Sequence, residues 1–210
     1  IADIKCALSV MVRPDSGTEL IRLLTGARWR IGAKDIEGLY QFARALSRQD
    51  KNLYHAEGRG DENSVSLVDA LDRLLSNKDK RETSISDEGM ERMQDAARVF
   101  RAMRERLGLP LTELVRAVAS ELWIDIEMMS NPSRKHPLIH INEFVSVVAG
   151  FLAGNSTPTV SMLLDYLERK LRAHGVQVEK LGRNLFAVAG PKDAPILAFN
   201  THIDTVPPSA

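Results

Sequence analysis

The chain has 210 residues, 44% apolar and 27% charged, with 28 lysines and arginines balancing 28 aspartates and glutamates. That length carries one ordinary domain with a real core, or a domain plus a fragment, and the zero net charge excludes a polycationic chain, so any nucleic-acid surface has to be a local patch. A single cysteine, Cys6, excludes an internal disulfide framework, and no apolar run approaches the roughly 18 residues of a membrane span; a reducing, cytoplasmic setting with no membrane partner is expected, with Cys6 a small buried apolar residue.

The chain starts at Ile1 directly on an apolar pattern, Ile4, Ala7, Leu8 and Met11, and ends on "NTHIDTVPPS" and Ala210, so the reading expects both ends to be cuts from something longer. Ser16 to Leu24 predicts a short amphipathic helix ending at Gly26. Lys34 to Leu46 predicts another, with Ile36, Leu39, Tyr40, Ala43 and Leu46 on its apolar face, and the tight connection "RWRIG" lies between the two. The polar run Gln49 to Asn63, with Gly58 and Gly60, reads as an exposed loop; a helix is expected from Ser64 to Leu75, and "SNKDKRETS" reads as a solvated linker.

Ser86, followed by Asp87 and Glu88, reads as an N-cap with acids in the first turn, where free backbone N–H groups and the helix dipole favour negative charge. Met90, Met93, Ala97, Phe100, Met103 and Leu107 form the apolar stripe of the long helix that follows, with Gly108 as its stop; the methionines are core filler. Leu111 to Leu122 and Pro137 to Leu152 add two helices. Thr157 and Pro158 open a third, lined by Val160, Leu163, Leu164, Leu167 and Leu171 and ended by Gly175. After it the pattern changes to short β-rich runs, "VQVEKL", "NLFAVAG" and "PILAFNT". The expected fold is mainly α: a bundle-like helical region over 1–157, then a partial α/β segment over 158–210.

The ordered series "DSGTELIRLLTGARWRIGAKDIEGLYQFARAL", "ISDEGMERMQDAARVFRAMRERLGLPLTELV", "LWIDIEMM" and "HINEFVSVVAGF" resembles, over about residues 1–165, the accessory region of superfamily 1 DNA helicases of the UvrD/PcrA/Rep type. In that family the region is mostly the helical domain called 2B, which touches duplex DNA ahead of the fork and takes part in autoinhibition and partner contacts. The resemblance implies a noncatalytic DNA-binding and regulatory segment of an ATP-dependent helicase acting in replication or repair, with duplex or fork DNA and other repair proteins as partners. ATP and Mg would belong to the motor domains, because no G-x-x-x-x-G-K-[ST] phosphate loop occurs in this chain.

The residues give a physical reason for DNA contact. Arg22, Arg28, Arg30 and Lys34 fall in a stretch with no acid between Glu19 and Asp35, which makes a local basic patch for phosphate oxygens. Gly32 stands before a predicted helix, where a missing side chain lets backbone N–H groups approach a phosphate. The family uses a Gly-Ile-Gly turn here; this chain has Arg30-Ile31-Gly32, so arginine replaces the first glycine. Trp29 reads as packed on a neighbouring helix rather than stacked on a base. The alternative reading of the same residues is a solvated turn with a helix cap; a separate alternative for the function is a helical protein-interaction module that touches no nucleic acid.

"LLDYLERKLRAHGVQVEKLGRNLFAVAGPKDAPILAFNTHIDTVPP" resembles the amino-terminal part of an M20-family zinc metallopeptidase or deacylase. By that resemblance His202 would be a zinc ligand and Asp204 would orient the site from behind it, which suits neutral imidazole and a supporting carboxylate. Zinc hydrolysis needs about three protein ligands and the segment supplies one, so zinc is expected only if the site were completed elsewhere. His136 and His140 lack the glutamate of an H-E-x-x-H pattern and read as surface residues. Two families in one chain imply a chimera, a misjoined frame or a rearranged gene fragment, with the alternative function an M20 fragment.

Overall fold

The computed structural model describes residues 1–56, 65–76, 83–130, 136–173, 177–181 and 184–188. Among them the order is α1 (Ala2–Val12), α2 (Gly17–Thr25), α3 (Ala33–Ala56), α4 (Leu67–Arg73), α5 (Asp87–Glu105), α6 (Leu111–Glu121), α7 (Ile124–Met129), α8 (Ile139–Ala153), α9 (Val160–Ala173), β1 (Gln177–Leu181) and β2 (Asn184–Val188). The protein is mainly helical. The chain divides into two compact units, Ile1–Leu164 and Asp165–Ala210.

In the first unit α1 is the central element. Its Ile4, Ala7, Leu8, Val10 and Met11 are buried together with Ser9, more than one face of the helix, as expected of a helix surrounded by others. It packs on α2, α5 and α6. The stripe of α5 turns inward as the sequence predicts: Met93, Ala96, Ala97, Phe100 and Met103 are buried, with Met90 and Leu107 half-buried beside them. Burial of each large side chain contributes about 1.5–3 kcal/mol, so this stripe is a main source of stability. Leu111, Leu114, Val115 and Val118 of α6 bury their own face, and α8, which packs on α6, buries Ile141, Phe144, Val148 and Phe151. Cys6 is half-buried rather than fully buried.

Polar links fix how the helices meet. Ser66 and Asp69 form a reciprocal capping box on α4: the Asp69 N–H donates to Ser66 Oγ at 3.1 Å and the Ser66 N–H to Asp69 Oδ2 at 3.3 Å. Arg104 of α5 reaches Asp72 of α4 at 2.6 Å, and Gln94 donates to the Leu74 carbonyl at 3.0 Å. At the head of α5, Ser86 caps as predicted, accepting from the Gly89 N–H at 3.1 Å. The segment before it crosses α3 so closely that a Cβ on Gly38 would meet Ile85 Cγ1 at 2.8 Å.

Several boundaries differ from the sequence reading. The helix expected to stop at Leu46 continues to Ala56, overriding the polar composition taken as loop from Gln49; residues 57–63 of that expected loop lie outside the described residues. The face of α3 also rotates: Leu39, Phe42, Ala43 and Leu46 are buried, whereas Tyr40 is exposed and lies 6.0 Å from the Arg44 guanidinium. Thr159, not Thr157, caps α9, accepting from the Met162 N–H at 3.2 Å, so Pro158 precedes the cap. Pro137 likewise falls two residues before α8, and α5 ends at Glu105, ahead of Gly108.

In the second unit, β1 and β2 pair antiparallel in the register Gln177↔Val188 through Leu181↔Asn184. They correspond to the first two predicted β-runs; the third, "PILAFNT", lies outside the described residues.

Candidate nucleic-acid interface

The "RWRIG" turn is held by backbone hydrogen bonds that fold it back on the end of α2. The Arg30 N–H donates to the Gly26 carbonyl and the Ile31 N–H to the Leu24 carbonyl, both at 2.9 Å. Trp29 and Ile31 are buried on either side of Arg30, 3% and 4% exposed, which turns the Arg30 side chain outward. Trp29 packs against α5, its ring 5.6 Å from Phe100, with its indole N–H donating to Asp95 Oδ2 at 2.9 Å. This indole is a wall of the core and not a stacking platform.

Arg30 has φ 49, in the left-handed region that costs a residue with a Cβ about 1–2 kcal/mol. Three contacts hold it there besides the two buried neighbours. Its N–H is bonded to Gly26, its Nε donates to the Ala27 carbonyl at 3.1 Å, and its carbonyl accepts from Arg92 Nη1 at 3.0 Å. Arg92 comes from α5 and also pairs with Glu88 one turn earlier on that helix. The sequence reading missed Arg92 because it lies 62 residues from the turn, and no local pattern links the two.

Immediately after the turn α3 begins. The Gly32 carbonyl accepts from the Asp35 and Ile36 N–H groups at 3.1 Å, so the N–H groups of Ala33 and Lys34 lie ahead of the helical ladder. Gly32 is exposed, and a Cβ placed on it would meet nothing within 4 Å, so the chain's own packing does not require glycine here. Lys34 is exposed on the first turn. Asp35, the acid that could neutralise this end, is used elsewhere: its carboxylate accepts from the Ser86 N–H at 2.8 Å and the Ser86 hydroxyl at 3.0 Å.

Two of the five expected contact residues offer a ligand less than the sequence reading assumes. The Ile31 side chain is buried and its N–H is used, so it can position the turn but not touch a phosphate. The Arg28 guanidinium lies between two indoles, 4.9 Å from the Trp29 ring and 4.7 Å from the Trp123 ring. Its Nε and Nη1 are buried without an acceptor, and burial lowers its pKa from the ordinary arginine value against the opposing pull of Asp95 and Glu121. Arg28 is therefore mostly spent inside the fold as a stacked cation. Arg22, the other arginine of the stretch, pairs with Asp3 at 2.7 Å. What this turn presents to solvent is Arg30, Gly32 and Lys34, with Arg92 at their back.

His202 and Asp204 lie outside the described residues. Among the described residues no group of three or more His, Cys, Asp or Glu side chains is placed to hold a metal ion, and no helix is long and apolar enough to cross a membrane. His136 and His140 are exposed; His140 Nδ1 sits 3.3 Å from Glu143 Oε2. Comparison of the chain with known protein families and with curated proteins finds no match.

Proposed function

We propose that the helical unit is a DNA-binding and regulatory accessory segment of a UvrD-like helicase, which grips duplex or fork DNA by its phosphates and is noncatalytic by itself. The observation that carries this reading is the backbone of Arg30. The family's turn has glycine at this position, and the chain keeps a glycine-like left-handed conformation (φ 49) with arginine in place. Strain of this kind persists only where surrounding contacts over-determine it, and it collects at ligand-binding turns.

The chemistry fits a phosphate. Two backbone N–H groups precede the ladder of α3, the helix dipole adds partial positive charge, Gly32 leaves the approach open, and Arg30 and Lys34 supply cations on either side. Such contacts position a duplex without reading its sequence and weaken steeply with salt. ATP hydrolysis would come from motor domains carrying the phosphate loop that this sequence lacks.

Gly32→Asn tests the reading. Asparagine caps a helix well and adds no charge, and Gly32 has no neighbour to displace, so thermal stability should hold while affinity for a duplex with a single-stranded overhang falls about tenfold. Unchanged affinity would show that no phosphate approaches Gly32.

A further inference from the structure

We infer that α7 and its cap form a docking face for a partner protein segment whose apolar side chains are flanked by lysine or arginine. Trp123, Ile126 and Met129 follow one another at three-residue steps and are 53%, 56% and 53% exposed. Three of the largest exposed apolar side chains among the described residues thus fall within seven positions. Ile124, on the opposite side, is buried and anchors the helix, which packs on α6. The exposed stripe is therefore the side that α7 turns away from its own core.

The placement of Trp123 is set by the backbone. It is the N-cap of α7 with φ 59, the only described residue besides Arg30 in the left-handed region without being glycine. This conformation lays one face of the indole on the Arg28 guanidinium and leaves the rest of the ring to solvent. A rigid, half-exposed tryptophan backed by a stacked cation is the kind of anchor on which interface energy concentrates.

Charge selects the occupant. At about 100° per residue, Asp125 flanks the stripe beyond Met129 and Glu127 flanks it on the side of Trp123. Glu121, which precedes the cap, is already paired with Arg106 at 2.9 Å, and Arg28 lies behind the Trp123 ring, so Asp125 and Glu127 are the acids that this face offers. An apolar stripe edged by acids on both sides matches an apolar segment edged by bases and repels polyanions, so nucleic acid is the poorer fit. The face adjoins the "RWRIG" turn through Arg28, which stacks on Trp123, but the stripe of Ile126 and Met129 uses neither Arg30 nor Lys34, so the inference does not depend on the DNA reading.

The test uses a labelled amphipathic peptide of leucine and lysine and its leucine–glutamate counterpart. The lysine peptide should bind the chain saturably and protect the exposed indole from acrylamide quenching, with binding at least tenfold weaker for the Ile126→Ser/Met129→Ser double substitution. Asp125→Asn/Glu127→Gln should flatten the salt dependence, whereas Ile139→Ser, at another exposed apolar residue, should leave binding unchanged. Equal binding of the glutamate peptide, binding indifferent to the α7 substitutions, or self-association of the chain through Ile126 and Met129 would each overturn the proposal. Arg30→Ala/Lys34→Ala should leave peptide binding intact, which separates failure of this inference from failure of the DNA reading.

Discussion

The Asp35 carboxylate at the start of α3 accepts both the backbone N–H and the hydroxyl of Ser86, at 2.8 and 3.0 Å, and so ties together the first turns of α3 and α5. Gly89 is glycine because of this pair: a Cβ there would enter the Asp35 carboxylate. Gly89→Ala should therefore destabilise the protein by about 1–3 kcal/mol despite alanine's better helix propensity. In an Asp35→Ala background the clash is gone, and the same substitution should stabilise by up to about 1 kcal/mol. Urea denaturation of the four proteins checks the change of sign; additive effects would mean that the two residues are not in contact.

Arg30→Gly should raise stability by about 1 kcal/mol, because removing the Cβ relieves the left-handed conformation, while the loss of the exposed Nε bond to Ala27 costs little. Arg30→Ala keeps the strain and should not stabilise. Denaturation midpoints of the two variants make the comparison.

Arg28 and Lys34 should separate stability from DNA affinity. Arg28→Ala removes a cation stacked between Trp29 and Trp123 and should lower stability by about 1–2 kcal/mol with little effect on the salt slope of DNA binding. Lys34→Ala should leave stability within about 0.5 kcal/mol and reduce the slope by about 1. Thermal melts and a salt titration of each variant check this; a large slope change for Arg28 would place its guanidinium on DNA instead.

Burial holds the Cys6 thiol above its ordinary pKa, opposed mainly by Arg22. A raised folded-state pKa means less thiolate near neutral pH than in the unfolded chain, so alkylation should be slower than for a free thiol and should rise only at higher pH. Iodoacetamide rates across a pH series, native and in urea, measure the shift; equal profiles would contradict it.

The Ser86 cap and the α5 stripe were legible in the sequence because they are local chemistry, whereas the cap of α9 fell at Thr159 and not Thr157. Ser86 with its acids, the methionine stripe of α5 and the change of pattern beyond α9 each follow from a few neighbouring residues. What escaped depends on contacts far apart in the chain. The extension of α3 through a polar run gave no apolar signal, Arg92 reaches the turn from another helix, and Arg28 stacks on Trp123 far along the chain. The basic stretch was visible as a charge pattern, but only the fold shows that Arg22 pairs with Asp3 at the surface and Arg28 is stacked between two indoles, while Arg30 and Lys34 face solvent.

The most direct measurement is fluorescence anisotropy of the chain on a labelled duplex with a single-stranded overhang across a salt series, alongside Arg30→Ala/Lys34→Ala. The account predicts binding that falls steeply with salt, with the slope of log K against log salt reduced by about 2 in the double variant. Binding with an unchanged slope, or no binding at low salt, would contradict a phosphate contact at the Arg30–Lys34 turn.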